Sequence, residues 1–437
     1  MKVVRFKEYG ATIMSALSHL LPNSQDYSGL RQNWRRDLIS GITVGIVALP
    51  LALAFGITTG AGAQAGLITA IFAGLVAAVF GGSRFQVSGP TGAMTVVLVP
   101  IVAKYGITSL APLGIVAGAI IIAAGLLRAG NLINKTPWPV MEGFTLGIAM
   151  VIGLQQVPIA LDFQKAKGSH TLLVAIDTAR HALSAGLHWG AISLVIFTLA
   201  VKFSYPHLSH RLHIKVHIPA SFIAIVFATI VSQIFSMKVS RVGNLPSKIF
   251  AYATPHFRDL SFSVLLIAGI EIALLGAIES LLSARVADQM AHIHEASEKY
   301  QPNRELFGQG LATMVASLFG GMPATGAIAR TSVNVRSGAK SRMAAVFHAL
   351  FLILVVLILN PVISHVPTAA LAGVLIGTSY RIASPANLKE LLKTTPLNIA
   401  TIAVTSLAVL FIDLIWGIAI GTIFYFALSR TFKGLQR

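Results

Sequence analysis

Apolar runs separated by short polar loops dominate the chain from about residue 40 to residue 430. A helix needs about 20 mostly apolar residues to cross a bilayer. Most of the runs meet that length, but those at 88–103 and 324–336 are too short or too rich in Gly, Pro and Thr for ordinary spans. The pattern predicts an all-α polytopic membrane protein of 14 transmembrane segments, at 42–59, 63–81, 88–103, 110–127, 139–159, 187–202, 217–236, 262–285, 307–319, 324–336, 342–359, 365–379, 396–413 and 415–429.

The placement of the basic residues predicts how these segments are oriented. Of the 33 Lys and Arg residues, 24 fall on the side of the N-terminus and eight on the other side. Cytoplasmic loops carry the excess of positive charge, so we expect both termini in the cytoplasm and a multi-pass protein of the cell (inner) membrane. The expected division is a cytoplasmic N-terminal segment (1–37), a transmembrane transport domain (38–430) and a short C-terminal tail (431–437).

Composition narrows the functional class. Only 11% of the residues are charged, against about 25% in soluble domains, so lipid must solvate much of the surface. The net charge of +18 lies in loops between apolar runs and not in a basic stripe, which argues against nucleic acid as a partner. The chain has no cysteine and no nucleophile–base arrangement, so we expect neither an enzyme nor a metal or organic cofactor; a homodimer is left open.

An internal repeat relates the two halves of the chain. Phe80-Gly81-Gly82 precedes the stretch 89–94 (GPTGAM), and Phe319-Gly320-Gly321 precedes the stretch 323–328 (PATGAI). By the segment count these lie seven spans apart, and an odd offset makes the halves opposite in orientation. A 7+7 inverted repeat with half-helices at segments 3 and 10 follows, and such paired, interrupted segments mark the binding site of many transporters. The alternative is a chance recurrence in a Gly-rich chain.

The interrupted segments predict an anion site. Gly89-Pro90 and Pro323 are expected to start helices in mid-membrane, where the unpaired N–H groups and the positive end of the helix dipole attract an anion. Thr91 and Thr325 could add hydroxyl donors. These features select small anions as a class, and they do not choose between sulfate, bicarbonate and a carboxylate.

Two kinds of charged residue lie inside predicted segments. Arg330 costs about 2.5–3.5 kcal/mol at a helix centre, so we expect it to supply positive charge to the anion, although pairing with a buried acid is an alternative. Glu271 and Glu279 share a segment, and either could carry a proton because burial disfavours a charged carboxyl group. Glu279 is favoured because Ser280 and Ser283 continue a polar stripe beside it; a permanent ion pair with Arg330 is the alternative.

With these segments in place, the sequence resembles the sulfate permease (SulP) family of anion transporters from about Arg36 to the C-terminus. The resemblance rests on the motifs at 48–55, 86–94, 142–145, 276–282 and 323–331. It implies a core domain (helices 1–4 and 8–11), a gate domain (helices 5–7 and 12–14) and an elevator-like motion between them. Family members usually continue into a cytoplasmic STAS domain, which we expect to be absent here.

The resemblance also implies an anion site at Phe55, Thr91 and the helix-10 residues, with Glu279 as the proton-coupling acid. We therefore expect a secondary active, proton-coupled symporter of a dicarboxylate, sulfate or similar oxyanion. Sodium-coupled bicarbonate members have an Asp where Glu279 stands and no Arg at 330, which favours H⁺ over Na⁺. A sodium–bicarbonate symporter and an uncoupled channel or exchanger remain alternatives. The predicted site comprises Phe55, Gln86, Gly89, Pro90, Thr91, Gly92, Thr325, Gly326, Ala327, Ile328, Ala329 and Arg330 for the anion, with Glu279 and Ser283 for the proton.

Overall fold

A computed structural model describes residues 20–27, 30–133, 136–168, 170–211, 218–243, 251–295 and 298–435. Residues 1–19 and 28–29 of the predicted N-terminal segment, and 436–437 of the predicted tail, lie outside the described residues. The fold is mostly helical, and one pair of two-residue strands lies among the helices.

Fourteen helices overlap the fourteen predicted segments and are labelled in chain order. They are α1 (Leu30–Thr59), α2 (Ala63–Phe80), α3 (Gly92–Tyr105), α4 (Leu110–Leu126), α5 (Trp138–Gln155), α6 (Trp189–Arg211), α7 (Ala220–Ile234), α8 (Phe262–Met290), α9 (Pro302–Leu318), α10 (Ile328–Arg336), α11 (Met343–Ile363), α12 (Thr368–Ile382), α13 (Pro396–Phe411) and α14 (Leu414–Leu435). Among the described residues, seven helices are long and apolar enough to cross a membrane by length and composition.

Several helix ends differ from the sequence pattern. α1 begins at Leu30, inside the polar stretch assigned to the N-terminal segment, and α9 begins at Pro302, five residues before the apolar run. Hydrophobicity does not reveal these polar helical turns at the starts of α1 and α9. A helix continues through polar residues wherever its backbone hydrogen bonds are kept. The helix Thr171–Ala185 was not predicted at all. It is amphipathic and carries Asp177 and Arg180, so it does not form a continuous apolar run.

Close helix packing is built on small residues. α9 packs along α4, and both α9 and α11 also contact α2. A Cβ atom at Gly118 of α4 would lie 2.6 Å from the Gly310 carbonyl oxygen of α9, and a Cβ atom at Gly310 would lie 2.6 Å from the Gly118 carbonyl oxygen. Reciprocal glycines let the two backbones approach directly, which is how apolar helices associate where water supplies no driving force.

The two strands join the interrupted segments. β1 (Ser88–Gly89) pairs antiparallel with β2 (Thr325–Gly326), with Ser88 opposite Gly326 and Gly89 opposite Thr325. All four residues are buried. Extended backbone at this depth is tolerated because each strand pairs with the other inside protein. The pairing places the starts of α3 and α10 side by side.

An N-terminal clip, formed by Asp26, Arg304 and Arg342, fastens the start of the described chain to the helix ends. The Arg304 guanidinium donates to both carboxylate oxygens of Asp26 at 3.0 and 2.7 Å, and Arg342 Nη2 donates at 2.9 Å. Arg342 Nη1 also donates to three carbonyl oxygens at the C-terminal end of α2. One carboxylate thus links α2, α9 and α11.

Candidate functional site

The two half-helices begin differently. Thr91 is the N-cap of α3, and its hydroxyl accepts from Met94 N at 3.5 Å. α10 begins only at Ile328 after the N-cap Ala327, so the expectation that Pro323 opens this helix is wrong. The intervening residues are held extended by pairing with β1. Thr325 consequently lies in a strand and not in the first helical turn.

Glu279 of α8 ties the two halves together. The hydroxyls of Thr91 and Thr325 both donate to Glu279 Oε2, at 2.9 and 2.7 Å. The N–H group of Gly326 donates to Ser280 Oγ at 3.0 Å. We call the place where β1, β2 and Glu279 meet the junction. The predicted hydroxyl donors are present there, but in this structure they donate to a carboxylate of the protein itself.

Arg330 lies against the first strand. It is 1% exposed, and its Nη2 donates to the Pro90 carbonyl oxygen at 2.9 Å. A Cβ atom at Gly89 would lie 2.5 Å from Arg330 Nη1, and Gly89 has a φ of +154°. Glycine is therefore required at this position for both space and backbone conformation. Arg330 also interacts electrostatically with Glu279, so cation and acid flank the same junction.

The apolar side of the site is formed by Phe55 and by α5. A Cβ atom at Gly92 would overlap Ile152 of α5 and lie 3.4 Å from Phe55 Cε1. Phe55 and Gly92 are buried, Ile328 is half-buried and Ala329 is exposed. The first turn of α10 is thus the most accessible part of the predicted site.

Two predicted residues have other contacts. Ser283 donates to Thr331 Oγ1 at 3.0 Å and not to Glu279, because it lies one helical turn further along α8. The Gln86 amide is buried and packs over Gly326, where a Cβ atom would overlap it. Neither polar atom of that amide has a hydrogen-bond partner among the described residues.

Four supporting polar residues were not predicted as site residues. Ser88 donates to Gln309 Oε1 at 2.7 Å, and Gln309 Nε2 donates to the Ala324 carbonyl oxygen at 2.9 Å. Gln309 of α9 thereby joins the two interrupted segments, while Ser280 and Thr331 bind backbone N–H groups of residues 326 and 87. A polar residue in an otherwise apolar run was the available signal for Gln309.

The arrangement suits an anion better than a metal ion. A guanidinium, two hydroxyls and the N-terminal ends of two helices are donors, and donors at a helix N-terminus stabilise negative charge. Among the described residues, no group of three or more His, Asp or Glu side chains is placed to hold a metal.

Comparison with solved structures defines the class. The chain superposes on the transmembrane domain of a cyanobacterial bicarbonate transporter, BicA, with a TM-score of 0.79 and 28% identity, covering 90% of this chain and 97% of that one. It also matches SLC26A9 in fold, with a TM-score of 0.82 at 17% identity, covering 97% of this chain and 69% of that one. Together with the apolar helices, these matches define a multi-pass integral membrane transporter.

The family follows from sequence. The profile of the sulfate permease family matches residues 34–405, and the chain belongs to that family. It is 33% identical to the putative sulfate transporter YvdB of Bacillus subtilis, over 90% of this chain and 73% of that protein. It is 29% identical to the bicarbonate transporter BicA of Picosynechococcus sp., over 89% of this chain and 69% of that protein. The resemblance read from the motifs is confirmed.

Proposed function

We propose that this protein is a secondary active transporter of a small oxyanion, a sulfate or dicarboxylate, coupled to protons as a symporter. The observation that carries the proposal is the convergence of Thr91 and Thr325 on Glu279 beside Arg330. Donors from both interrupted segments, the N-cap of α3 and the strand before α10, meet one titratable acid there. The same hydroxyl donors can therefore serve either the Glu279 carboxylate or a bound anion.

The two threonine hydroxyls would couple protonation of Glu279 to anion binding. While Glu279 is ionised, both hydroxyls donate to its carboxylate, and the negative charge next to Arg330 repels an entering anion. A proton on Glu279 removes that charge and turns the acid into a donor. Thr91 and Thr325 can then rotate their hydroxyl hydrogens toward the substrate. Proton and anion binding would therefore favour each other, which is the requirement for symport.

We also propose a membrane topology and a division into domains for this transporter. It has 14 spans in a 7+7 inverted repeat, with both termini cytoplasmic in the inner membrane, a core of α1–α4 and α8–α11, and a gate of α5–α7 and α12–α14. The antiparallel strand pair supports the inverted relation, since it joins matching segments of the two halves in opposite directions. Elevator-like movement of the core past the gate would carry the anion, and a homodimer is the proposed assembly.

A sodium-coupled bicarbonate symporter is the second candidate. BicA, a bicarbonate transporter, is among the similar proteins in both sequence and structure. Sulfate and bicarbonate are both small oxyanions, and helix N-termini hold either. Sodium would need oxygen ligands at the junction, where Arg330 supplies an opposing positive charge. An uncoupled channel or exchanger would leave Glu279 with a purely structural role.

Uptake into proteoliposomes separates these candidates. Purified protein would be tested with labelled sulfate, bicarbonate, succinate and fumarate under imposed proton or sodium gradients. Proton-driven accumulation supports the first proposal, whereas sodium-driven accumulation that ignores pH selects the second. If neither gradient drives accumulation of any of the four anions, but anion flux is still present, the result selects the channel or exchanger.

Paired variants test the residues. We expect Glu279→Gln to abolish gradient-driven uptake while Glu271→Gln, on the same helix, retains it. We expect Arg330→Ala to weaken anion binding by about tenfold or more, while Arg336→Ala, on the same helix but exposed, changes it little. Intact proton-driven uptake in Glu279→Gln would refute the proton-carrier role.

A further inference from the structure

Two of the connections between the proposed core and gate lie side by side. One joins α7 to α8, the other joins α11 to α12, and both are expected on the side of the membrane away from the termini. Residues 240–243 of the first connection pair with residues 364–368, which comprise the second connection and the first residue of α12. We call these two paired segments the outer strap. It lies where the chain passes between the two domains.

The outer strap is a short antiparallel ladder. Three backbone N–H groups donate across it: Val242 N to the Val366 carbonyl oxygen at 2.9 Å, Gly243 N to that of Ser364 at 3.1 Å, and Thr368 N to that of Ser240 at 3.0 Å. The Arg241 side chain adds a bond of 2.8 Å to the His365 carbonyl oxygen. Val366 and Ser364 are only 7% and 9% exposed. Opening the strap would therefore leave buried backbone groups without partners, which is costly.

The outer strap is fastened to the gate. Ser240 N donates to Asp162 Oδ2 at 3.1 Å, and Asp162 lies in the turn that follows α5. Just before the strap, Val239 Cγ1 lies 3.4 Å from the place that a Cβ atom on Gly190 of α6 would take. Thr368 at the other edge of the strap begins α12. The strap is thus held by α6, by the start of α12 and by the turn after α5.

On the core side, the outer strap follows a weakened helical turn. Pro361 lies in the last turn of α11, just before the strap. Proline has no N–H group, so this turn lacks one helical hydrogen bond. Further along the α7–α8 connection, Ala253 N donates to the Leu318 carbonyl oxygen of α9 at 2.7 Å. That later part of the connection belongs with the core, whereas the strap itself belongs with the gate.

We propose that the outer strap stays paired throughout transport and moves with the gate, and that the core pivots at the last turn of α11. This inference rests on the proposed division into core and gate. Hinges are a few residues at the ends of elements that absorb a change in backbone angles, and the turn at Pro361 has that position. The alternative is a latch, in which the strap opens in every transport cycle.

A disulfide across the strap separates a permanent pairing from a latch. The chain has no cysteine, so Arg241→Cys combined with Pro367→Cys introduces a single pair at the two bridge partners. The hydrogen bonds on either side make this a non-hydrogen-bonded pair, whose Cα atoms lie about 4.5 Å apart, and disulfides span about 4.4–6.8 Å. We expect oxidation to close the disulfide and to leave the initial rate of anion uptake unchanged.

Uptake by the oxidised protein is compared with uptake by the same protein after reduction, so the lost Arg241 side chain affects both equally. Gly153→Cys with Ser379→Cys is the matched control. It joins α5 to α12 within the gate, where a Cβ atom on Gly153 would lie 3.7 Å from Ser379 Cβ, and it reports any effect of oxidation itself. A loss of uptake confined to the oxidised strap variant, and reversed by reductant, would overturn the proposal; so would a disulfide that does not form.

The pivot is tested by Pro361→Ala, which restores the missing N–H group and stiffens the last turn of α11. We expect kcat for uptake to fall with KM little changed, and the melting temperature not to fall, so that the slower rate is not a folding defect. Pro206→Ala, within the gate helix α6, is the control and should leave kcat unchanged. An unchanged kcat in Pro361→Ala would overturn the pivot.

The pairing itself is tested without transport. Hydrogen exchange of wild-type backbone amides reports local opening, and peptides that cover 240–243 and 364–368 should exchange as slowly as those of α12. Closing the disulfide should slow this exchange little, because the strap is already paired. Fast exchange that the disulfide suppresses would overturn the proposal. This measurement decides the pairing even if none of the tested anions is transported, so its failure is distinct from failure of the proposed function.

Discussion

The N-terminal clip allows a quantitative prediction. Asp26→Asn removes the carboxylate that accepts from Arg304 and Arg342, both of which are 3% exposed at the side chain. Breaking a buried ion pair by removing one partner costs about 3–5 kcal/mol, because it leaves the other charge uncompensated. Asp26 is itself 13% exposed, and two guanidiniums lose their partner. We expect the variant to lose about 3–5 kcal/mol of stability.

The pH dependence of this loss follows from the pKa of Asp26. Burial favours the neutral acid, but hydrogen bonds from Arg304 and Asn23 and the charge of Arg342 hold the pKa of Asp26 below its usual 3.8. A group whose pKa is lower in the folded state stabilises the protein fully above the unfolded pKa. That stabilisation disappears as pH falls through the folded value. The difference between wild type and Asp26→Asn should therefore be constant near neutral pH and shrink only in strong acid.

Thermal unfolding in detergent, followed across a pH series, measures the effect. The matched control is Glu390→Gln, which breaks an exposed pair with Lys393 at 3.4 Å; exposed pairs contribute little, so its melting temperature should barely change. Adding Arg304→Met to Asp26→Asn should cost less than the two changes summed, because the partners are coupled. An Asp26→Asn variant as stable as the control, or a loss that grows in acid, would refute the reasoning.

Three further predictions concern buried residues, each checked by thermal unfolding in detergent. Gly326→Ala should be destabilising because its Cβ atom overlaps the Gln86 amide, and adding Gln86→Ala should restore stability; no rescue would mean that the clash lies elsewhere. Lys202→Met should change stability by no more than about 1 kcal/mol, or raise it. The variant loses hydrogen bonds of 2.6 and 2.7 Å to a carbonyl and a hydroxyl of α12, but it also removes the cost of burying the ammonium charge. A large loss of stability would contradict this balance. Glu305→Leu should cost about 2–5 kcal/mol, since its Oε2 accepts from two backbone N–H groups just after α2 at 2.8 and 2.9 Å, whereas Glu305→Gln, which keeps an acceptor, should lose less.

Hydrophobic pattern predicted the helices well because bilayer length and backbone pairing leave few alternatives. Each apolar run coincides with a helix, and even the two interrupted segments were located from their Gly, Pro and Thr content. The family, too, could be read from short motifs around those interruptions. The amphipathic helix Thr171–Ala185 was not predicted, since its formation depends on packing against neighbouring helices and not on contact with lipid.

The partners within the site could not be predicted in the same way. The sequence placed Thr91, Thr325 and Glu279 near one another, but nothing in it shows that both hydroxyls donate to one carboxylate oxygen. Such pairing depends on side-chain directions fixed by tertiary packing. The strand pair was missed for the same reason: two residues carry no periodicity, and only the meeting of distant segments makes them a sheet.

That meeting has a consequence for biogenesis. Arg330 and the Pro90 carbonyl to which it donates are 240 residues apart in sequence. During synthesis the first strand must wait in the membrane, its backbone unpaired, until more than half of the chain has followed. Contacts this distant form late and slowly. A stalled chain that ends before β2 would therefore leave the backbone of β1 without its partner strand, and membrane quality control would have a distinct feature to recognise.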